Sequence, residues 1–156
     1  KMYKTRSGKY TPKNYHKYKG NVNNIIYRSG WEHMLMKFLD INPDVIQWSS
    51  EETVIPYISP VDNKMHRYFV DLTVTFKNCQ TLLIEVKPKY QTEPPKINKK
   101  PKGKKGEMRL LQEAQTFAVN DAKWKAADVY AKKNNMKFVI FTENELEMMG
   151  IHTFKR

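Results

Sequence analysis

Two alternating runs, HRYFVDLTVTF (66–76) and TLLIEVK (81–87), are separated only by Lys77, Asn78, Cys79 and Gln80. Alternation of this kind on both sides of a short turn-rich link reads as a β-hairpin. One register keeps its faces uniform. With the turn centred on Asn78, Val74 faces Leu82, Leu72 faces Ile84 and Val70 faces Val86, giving a continuous apolar face. A slip of one residue sets Thr75 against Leu82 and Thr73 against Ile84, and a half-buried sheet selects against such mixing. The first run then carries Tyr68, Val70, Leu72, Val74 and Phe76 on one face, and Phe69, Asp71, Thr73 and Thr75 on the other.

The same register sets Asp71 opposite Glu85. Directly opposed Cβ atoms lie roughly 5 Å apart, where like charges destabilise a sheet. Two facing carboxylates are tolerated when one is protonated or when a cation sits between them. Hard oxygen ligands suit Mg²⁺, which keeps several waters and binds through one or two carboxylates plus a substrate phosphate. Lys87 projects from the face of Glu85, two residues further on. Asp71, Glu85 and Lys87 are therefore the candidate site, with a chance cluster at a strand end as the competing reading.

Around the hairpin, SGWEHMLMKFLD places Trp31, Met34, Leu35, Phe38 and Leu39 at helical spacing, with Ser29 as N-cap and Pro43 beyond the far end. TVIPYI reads as a strand preceding the hairpin, which makes three antiparallel strands in all. Residues 88–107, rich in Pro, Gly and Lys, have no period and are expected to form a mobile basic loop. Helical patterning returns over Met108–Phe117 and Asp121–Asn134, with Trp124, Ala127 and Ala131 in one stripe. KFVIFT (137–142) reads as a short buried strand, and Thr142 with Glu145 forms a capping box for a last helix ending at Gly150. A strand that follows a helical crossover joins its sheet in parallel. The expected fold is a mixed α/β sheet flanked by helices.

A formal net charge of +12 and a pI near 9.7 bear on partners rather than on fold, and point to polyanions, nucleic acid foremost. No apolar run approaches the ~20 residues of a spanning helix, so no membrane association is expected, and the N-terminus has no secretory pattern. Cys79 is the single cysteine, which excludes an internal disulfide and fits a reducing compartment. None of the four histidines pairs with it at zinc-site spacing. Residues 1–28 carry lysine, arginine and tyrosine without an acid, and read as a basic N-terminal arm suited to phosphates and base stacking, ahead of a single domain over 29–156. The competing reading is a solvated tail.

Asp71 on one strand and the E-x-K of Glu85-Val86-Lys87 on the next resemble the PD-(D/E)xK nuclease superfamily. The order of elements over about residues 29–142 is similar to its restriction-endonuclease-like α-β-β-β-α-β core. RSGWE, HRYFVD, IEVKP, KWKAA and KFVIFTENEL together resemble the transposase-associated, TnsA-like branch, and more nearly the head-completion nucleases of T-even-type tailed phages. That branch can carry glutamine where Glu85 stands, whereas this chain has the acid of the wider superfamily. The Q-x-x-x-Y motif of recombination-type members is absent, which speaks against an exonuclease of that kind.

The resemblance implies a Mg²⁺-dependent DNA endonuclease, with Mn²⁺ able to substitute, engaged in head completion or DNA-end processing. Its implied partners are DNA and other phage head or portal proteins, and its implied setting is the cytoplasm of an infected bacterium and the virion. Asp71 and Glu85 match the metal-binding acids, helped by the Val86 carbonyl; Lys87 matches the catalytic lysine, and Glu32 an additional helix-borne acid. Glu32 has a second reading, because Ser29-Gly30-Trp31-Glu32 also fits a capping box. Arg67 should share the face of Asp71 by parity and contact phosphate, with a solvated strand start as its alternative. Arg28 and the cluster of Lys96, Lys99, Lys100, Lys102, Lys104, Lys105 and Arg109 are expected on the DNA backbone. A non-catalytic DNA-binding accessory protein of a virion or transposition complex is the alternative function. The facing acids argue against it, since a pure phosphate binder gains nothing from them.

Overall fold

The structure is a computed structural model and describes residues 6–97 and 100–153. In chain order its elements are β1 (Gly8–Lys9), β2 (Ile26–Tyr27), α1 (Gly30–Ile41), β3 (Val45–Ser50), β4 (Val54–Ile58), β5 (Met65–Phe69), β6 (Leu72–Phe76), β7 (Thr81–Val86), α2 (Gly103–Lys133), β8 (Met136–Phe141) and α3 (Glu143–Met148). Short 3₁₀ turns lie at Tyr15–Lys17 and Lys89–Gln91.

From Leu72 to Thr75 the hairpin β6–β7 takes the register that alternation dictates, with Leu72 opposite Ile84 and Val74 opposite Leu82, whereas the expected Val70–Val86 pair does not form and the two residues lie in different apolar layers. Its turn closes through Cys79 N–H to Phe76 O and Phe76 N–H to Gln80 O, each 2.9 Å, and Cys79 adopts the left-handed φ of 67°. The main sheet has the order β3-β6-β7-β8. β3, β6 and β7 run antiparallel, and β8 joins β7 in parallel after the α2 crossover, as the handedness and length rules require.

The strand preceding the hairpin is not TVIPYI. Val45–Ser50 takes that place beside β6, while β4 pairs only with β5 in a separate two-stranded ribbon. Residues 66–76 are accordingly two strands, broken at Val70 and Asp71. The break has a packing cause. Val70 is fully buried with Leu83 and Trp124, whereas Leu72, two residues later, is fully buried with Leu35, Leu39 and Ile84. A continuous strand would place both on one face, so the chain must rotate between them. With the ribbon set aside, the order α1-β3-β6-β7-α2-β8 remains.

Two apolar layers hold the sheet. On one face Leu35, Met36 and Leu39 of α1 and Leu146 of α3 cover Leu72, Val74, Ile84 and Val86. On the other, Trp124, Ala127 and Ala131 of α2 cover Leu83 and the inner face of the ribbon, Ile55, Tyr57 and Tyr68. Ser29 caps α1 by accepting from Glu32 N–H at 3.2 Å, and the Thr142–Glu145 capping box starts α3. The expected α1 stripe is shifted, with Met34 exposed while Met36 and Asp40 are buried.

Two expectations are corrected here. Residues 8–27 are no free arm: β1 pairs with β2, and Tyr10 and Tyr18 lie in the core beside Trp48. Lys1 and Lys4 lie outside the described residues. The basic loop ends sooner than expected, because α2 begins at Gly103 and runs unbroken through both predicted helical stretches. Among the described residues no helix is long and apolar enough to cross a membrane.

Candidate active site

The site forms where β6 separates from β7. The ladder ends at Leu72–Ile84, so Asp71 is not held as a flat cross-strand partner of Glu85. Its Oδ2 instead accepts the Val86 N–H at 2.8 Å, an amide that the departure of β6 has left without a ladder partner. The neighbouring chain fixes this turn: Val70 N–H donates to Thr53 O at 3.0 Å and Glu51 N–H to Asp71 O at 3.2 Å. Among the described residues nothing donates to Asp71 Oδ1.

Glu85 is buried, 6% exposed, on the α2 side of β7. A carboxylate so placed needs partners, and it has two. The Tyr68 hydroxyl donates to its Oε2, and Lys87 Nζ lies 3.8 Å from its Oε1. Tyr68 is itself buried under the ring-facing Lys123, whose Nζ is 5.7 Å from the ring centroid. Burial and the charge of Glu85 push the Tyr68 phenol far above its ordinary range, so it acts as a donor only.

The acids crowd one another. Asp71 is raised well above the usual carboxylate range, first by burial and then by Glu85 and Glu32, against the opposing Val86 N–H and Lys87. Glu32 is raised by burial, then by Glu51 and Glu85, with hydrogen bonds from Arg28 N–H and Ser29 pulling the other way. The structure brings Asp71, Glu85 and Lys87 to one end of β7. It turns Glu32 toward its own helix start, where Oε2 accepts Arg28 N–H at 3.1 Å. Half of the expected capping box is present, Ser29 Oγ accepting Glu32 N–H, while the Glu32 carboxylate takes Arg28 N–H and the Ser29 hydroxyl in place of the Ser29 N–H and stays within electrostatic reach of Asp71 and Glu85.

Among the described residues no three or more His, Cys, Asp or Glu side chains gather closely enough to hold a metal ion. The donor chemistry nonetheless fits a hard divalent cation. Two carboxylates and the adjacent Val86 carbonyl are the small oxygen set that Mg²⁺ takes when waters and phosphate complete its shell. A cation there would also relieve the mutual repulsion that raises Asp71.

The basic residues scatter differently from expectation. Arg28 makes a two-pronged ion pair with Glu51, at 2.7 and 3.1 Å. Arg67 does not share a face with Asp71, because the strand break voids the parity argument. It lies instead on the outer face of the β4–β5 ribbon, its guanidinium 5.5 Å from the Phe69 ring. Lys100 and Lys102 precede α2, Lys104 and Lys105 open it, and all four are exposed. Lys96 and Arg109 line a cleft between the segment after Lys87 and α2, and Arg109 also pairs with Glu113 at 3.3 Å. Lys99 lies outside the described residues.

Sequence reasoning missed Tyr68 and Glu51. Tyr68 sits on the apolar face of its alternation and reads as plain core. Glu51 follows β3, the strand that was itself missed, and holds a left-handed φ of 55°.

The sequence profile described as TnsA-like endonuclease N terminal matches residues 42–143, which span β3 to the start of α3. The chain is also 42% identical over 144 residues to the head completion nuclease of Enterobacteria phage T4, covering 92% of this chain and 95% of that protein. No solved structure matches significantly. A mixed sheet with the α-β-β-β-α-β order, Asp71 and the E-x-K at one end of β7, and these two matches lead to one conclusion: the chain belongs to the TnsA-like endonuclease family and has its restriction-endonuclease-like fold.

Proposed function

We propose that the chain is a Mg²⁺-dependent DNA endonuclease that hydrolyses phosphodiester bonds during head completion of a tailed phage. The observation that carries this reading is the meeting of Asp71, Glu85 and Lys87 where β6 leaves β7, with more negative charge than Lys87 balances. The name of the phage relative, a head completion nuclease, supports the setting in head completion; the infected bacterial cytoplasm and the maturing head as location, and portal or head proteins as partners, are part of the same proposal.

Asp71, Glu85 and the Val86 carbonyl would hold the ion, with Glu32 available as a further acid. A divalent ion supplies Lewis-acid polarisation of a phosphate oxygen and a bound water of lowered pKa. The protein's own groups do the rest. The Val86 N–H fixes the rotamer of Asp71, and the Tyr68 hydroxyl fixes that of Glu85. Lys87, one quarter exposed beside Glu85, presents its ammonium to the negative charge that grows on the attacked phosphate. The exposed lysines before and within α2 neutralise flanking phosphates.

The test is cleavage of supercoiled, linear and branched DNA by wild type, Asp71→Asn and Lys87→Gln, with Mg²⁺ and with chelator. Each substitution should lower the rate on the order of a hundredfold or more, with DNA binding retained. Wild-type rates in either variant would remove the assignment. Binding without any metal-dependent cutting by the wild type would leave the accessory DNA-binding reading.

A further inference from the structure

Beyond Lys87 the chain turns at Lys89–Gln91 and runs along α2, enclosing with it an open cleft of about 730 Å³. Sites for small organic ligands occupy about 300–1,000 Å³. The walls of this one include the rings of Tyr90 and Phe117 and the side-chain amides of Gln91, Gln112 and Asn120. Its charges nearly cancel, since Glu93 and Glu113 stand against Lys96 and Arg109. The lining itself therefore offers a phosphate no excess of positive charge. A neutral, flat, polar-edged group would find an aromatic face and amides that both donate and accept.

Tyr90 is 63% exposed, yet its ring is held in place. Gln91 Nε2 donates to its hydroxyl at 2.8 Å, and the turn beneath is tied to α3 by Lys89 N–H to Glu143 Oε1 at 2.7 Å. A large ring kept in water by specific bonds is a stacking platform in waiting. Lys100, Lys102, Lys104 and Lys105 lie outside the cleft, where a phosphate backbone would run. Tyr90 is three residues past Lys87, so their Cα atoms are at most about 11 Å apart. At 3.4 Å per stacked nucleotide, that is roughly three nucleotides.

We infer that the cleft receives one unpaired base of the DNA substrate, stacked on Tyr90 and held at its edge by Gln112 and Asn120. The chain consequently favours DNA ends or branches with an unpaired nucleotide over continuous duplex. A paired base can enter only by leaving its partner and its stack, whereas an unpaired one enters without that penalty. The position of the base relative to the cut rests on the nuclease reading above; the existence of the base site does not.

The experiment is fluorescence anisotropy with the full chain in chelator, using a blunt duplex and the same duplex with a short single-stranded thymidine extension. Wild type should bind the extended probe about tenfold or more tightly. Tyr90→Ala and Gln112→Ala should lose that preference with blunt-duplex affinity unchanged. Tyr90→Phe, which keeps the ring, and Tyr15→Ala, a similarly exposed tyrosine elsewhere, should retain it. Equal binding of both probes by wild type, an unchanged preference in Tyr90→Ala, or equal weakening of both probes would overturn the inference. A wild type that shows the preference but cuts nothing in Mg²⁺ would sink the nuclease reading and leave the base site standing. One that cuts but shows no preference would do the reverse.

Discussion

Residues 8–27 and 88–97 both set tyrosine among lysines, four tyrosines in the first and Tyr90 alone in the second, and the fold treats them in opposite ways. In the first, Tyr10 and Tyr18 are buried against Trp48. In the second, Tyr90 stands in water beside a cleft. The difference lies in what the rest of the chain offers each segment. α1 supplies Asp40, fully buried, whose carboxylate accepts Tyr10 OH at 2.8 Å, Lys13 N–H at 2.7 Å and Asn14 N–H at 3.0 Å. Ser50 at the end of β3 both donates to and accepts from the Tyr18 hydroxyl, at 3.1 and 3.3 Å. Among the described residues nothing comparable gathers residues 92–97. Basic composition therefore reports solubility and partner charge, while one well-placed distant acid decides whether such a segment folds.

That contrast can be broken most forcefully at Asp40. Asp40→Ala removes three acceptor contacts and leaves two part-buried backbone N–H groups without their acceptor. It should destabilise by about 3–5 kcal/mol, a fall of roughly 10 °C in Tm by calorimetry. A Tm within a degree or two of wild type would mean that the N-terminal segment is not anchored there.

The tyrosines sharpen the comparison next. Tyr10→Phe deletes a hydrogen bond to a buried carboxylate and should cost about 1.5–3 kcal/mol in urea unfolding, whereas Tyr90→Phe should stay within about 0.5 kcal/mol. Equal costs at the two positions would erase the distinction between structural and free aromatic residues.

The smallest effect is on pH dependence. His33 stacks on Tyr27 of β2, ring centroids 4.0 Å apart, and burial together with Lys37 lowers it from its ordinary 6.5. Its neutral form is therefore favoured in the folded state. The stability it contributes is complete above pH 6.5 and is lost as pH falls through the lowered folded value. His33→Gln should flatten the difference between unfolding free energies measured above and below that point. An unaltered slope would assign the acid sensitivity elsewhere.

Legibility in the sequence tracked the range of the interaction. The register of β6 against β7, the caps at Ser29 and Thr142 and the parallel entry of β8 follow from local patterns and chain geometry, and all are present. Asp71, Glu85 and Lys87 became candidates through the hairpin register and E-x-K spacing, which are local as well, although the Asp71–Glu85 pairing gives way to the bond from Val86 N–H. The missed strand β3, the pairing of β4 with β5 outside the main sheet and the buried Asp40 have no local signature. VIQWSS does not alternate cleanly, and a solitary aspartate near a helix end reads as surface. Arg67 was placed beside Asp71 by the same parity rule that succeeded in β7, and it failed where the strand breaks.

The sequence by itself determined which side chains face each other between Leu72–Thr75 and Thr81–Ile84, because a period of two is set by the pleat of a single strand. Only the tertiary structure decided that the chain turns at Asp71, that residues 8–27 are interior and that α2 closes a cleft beside Tyr90. Each of these depends on which apolar surface competes for Val70, Trp48 or Phe117. That competition is settled by layers packing from distant parts of the chain, and no short stretch contains both contestants.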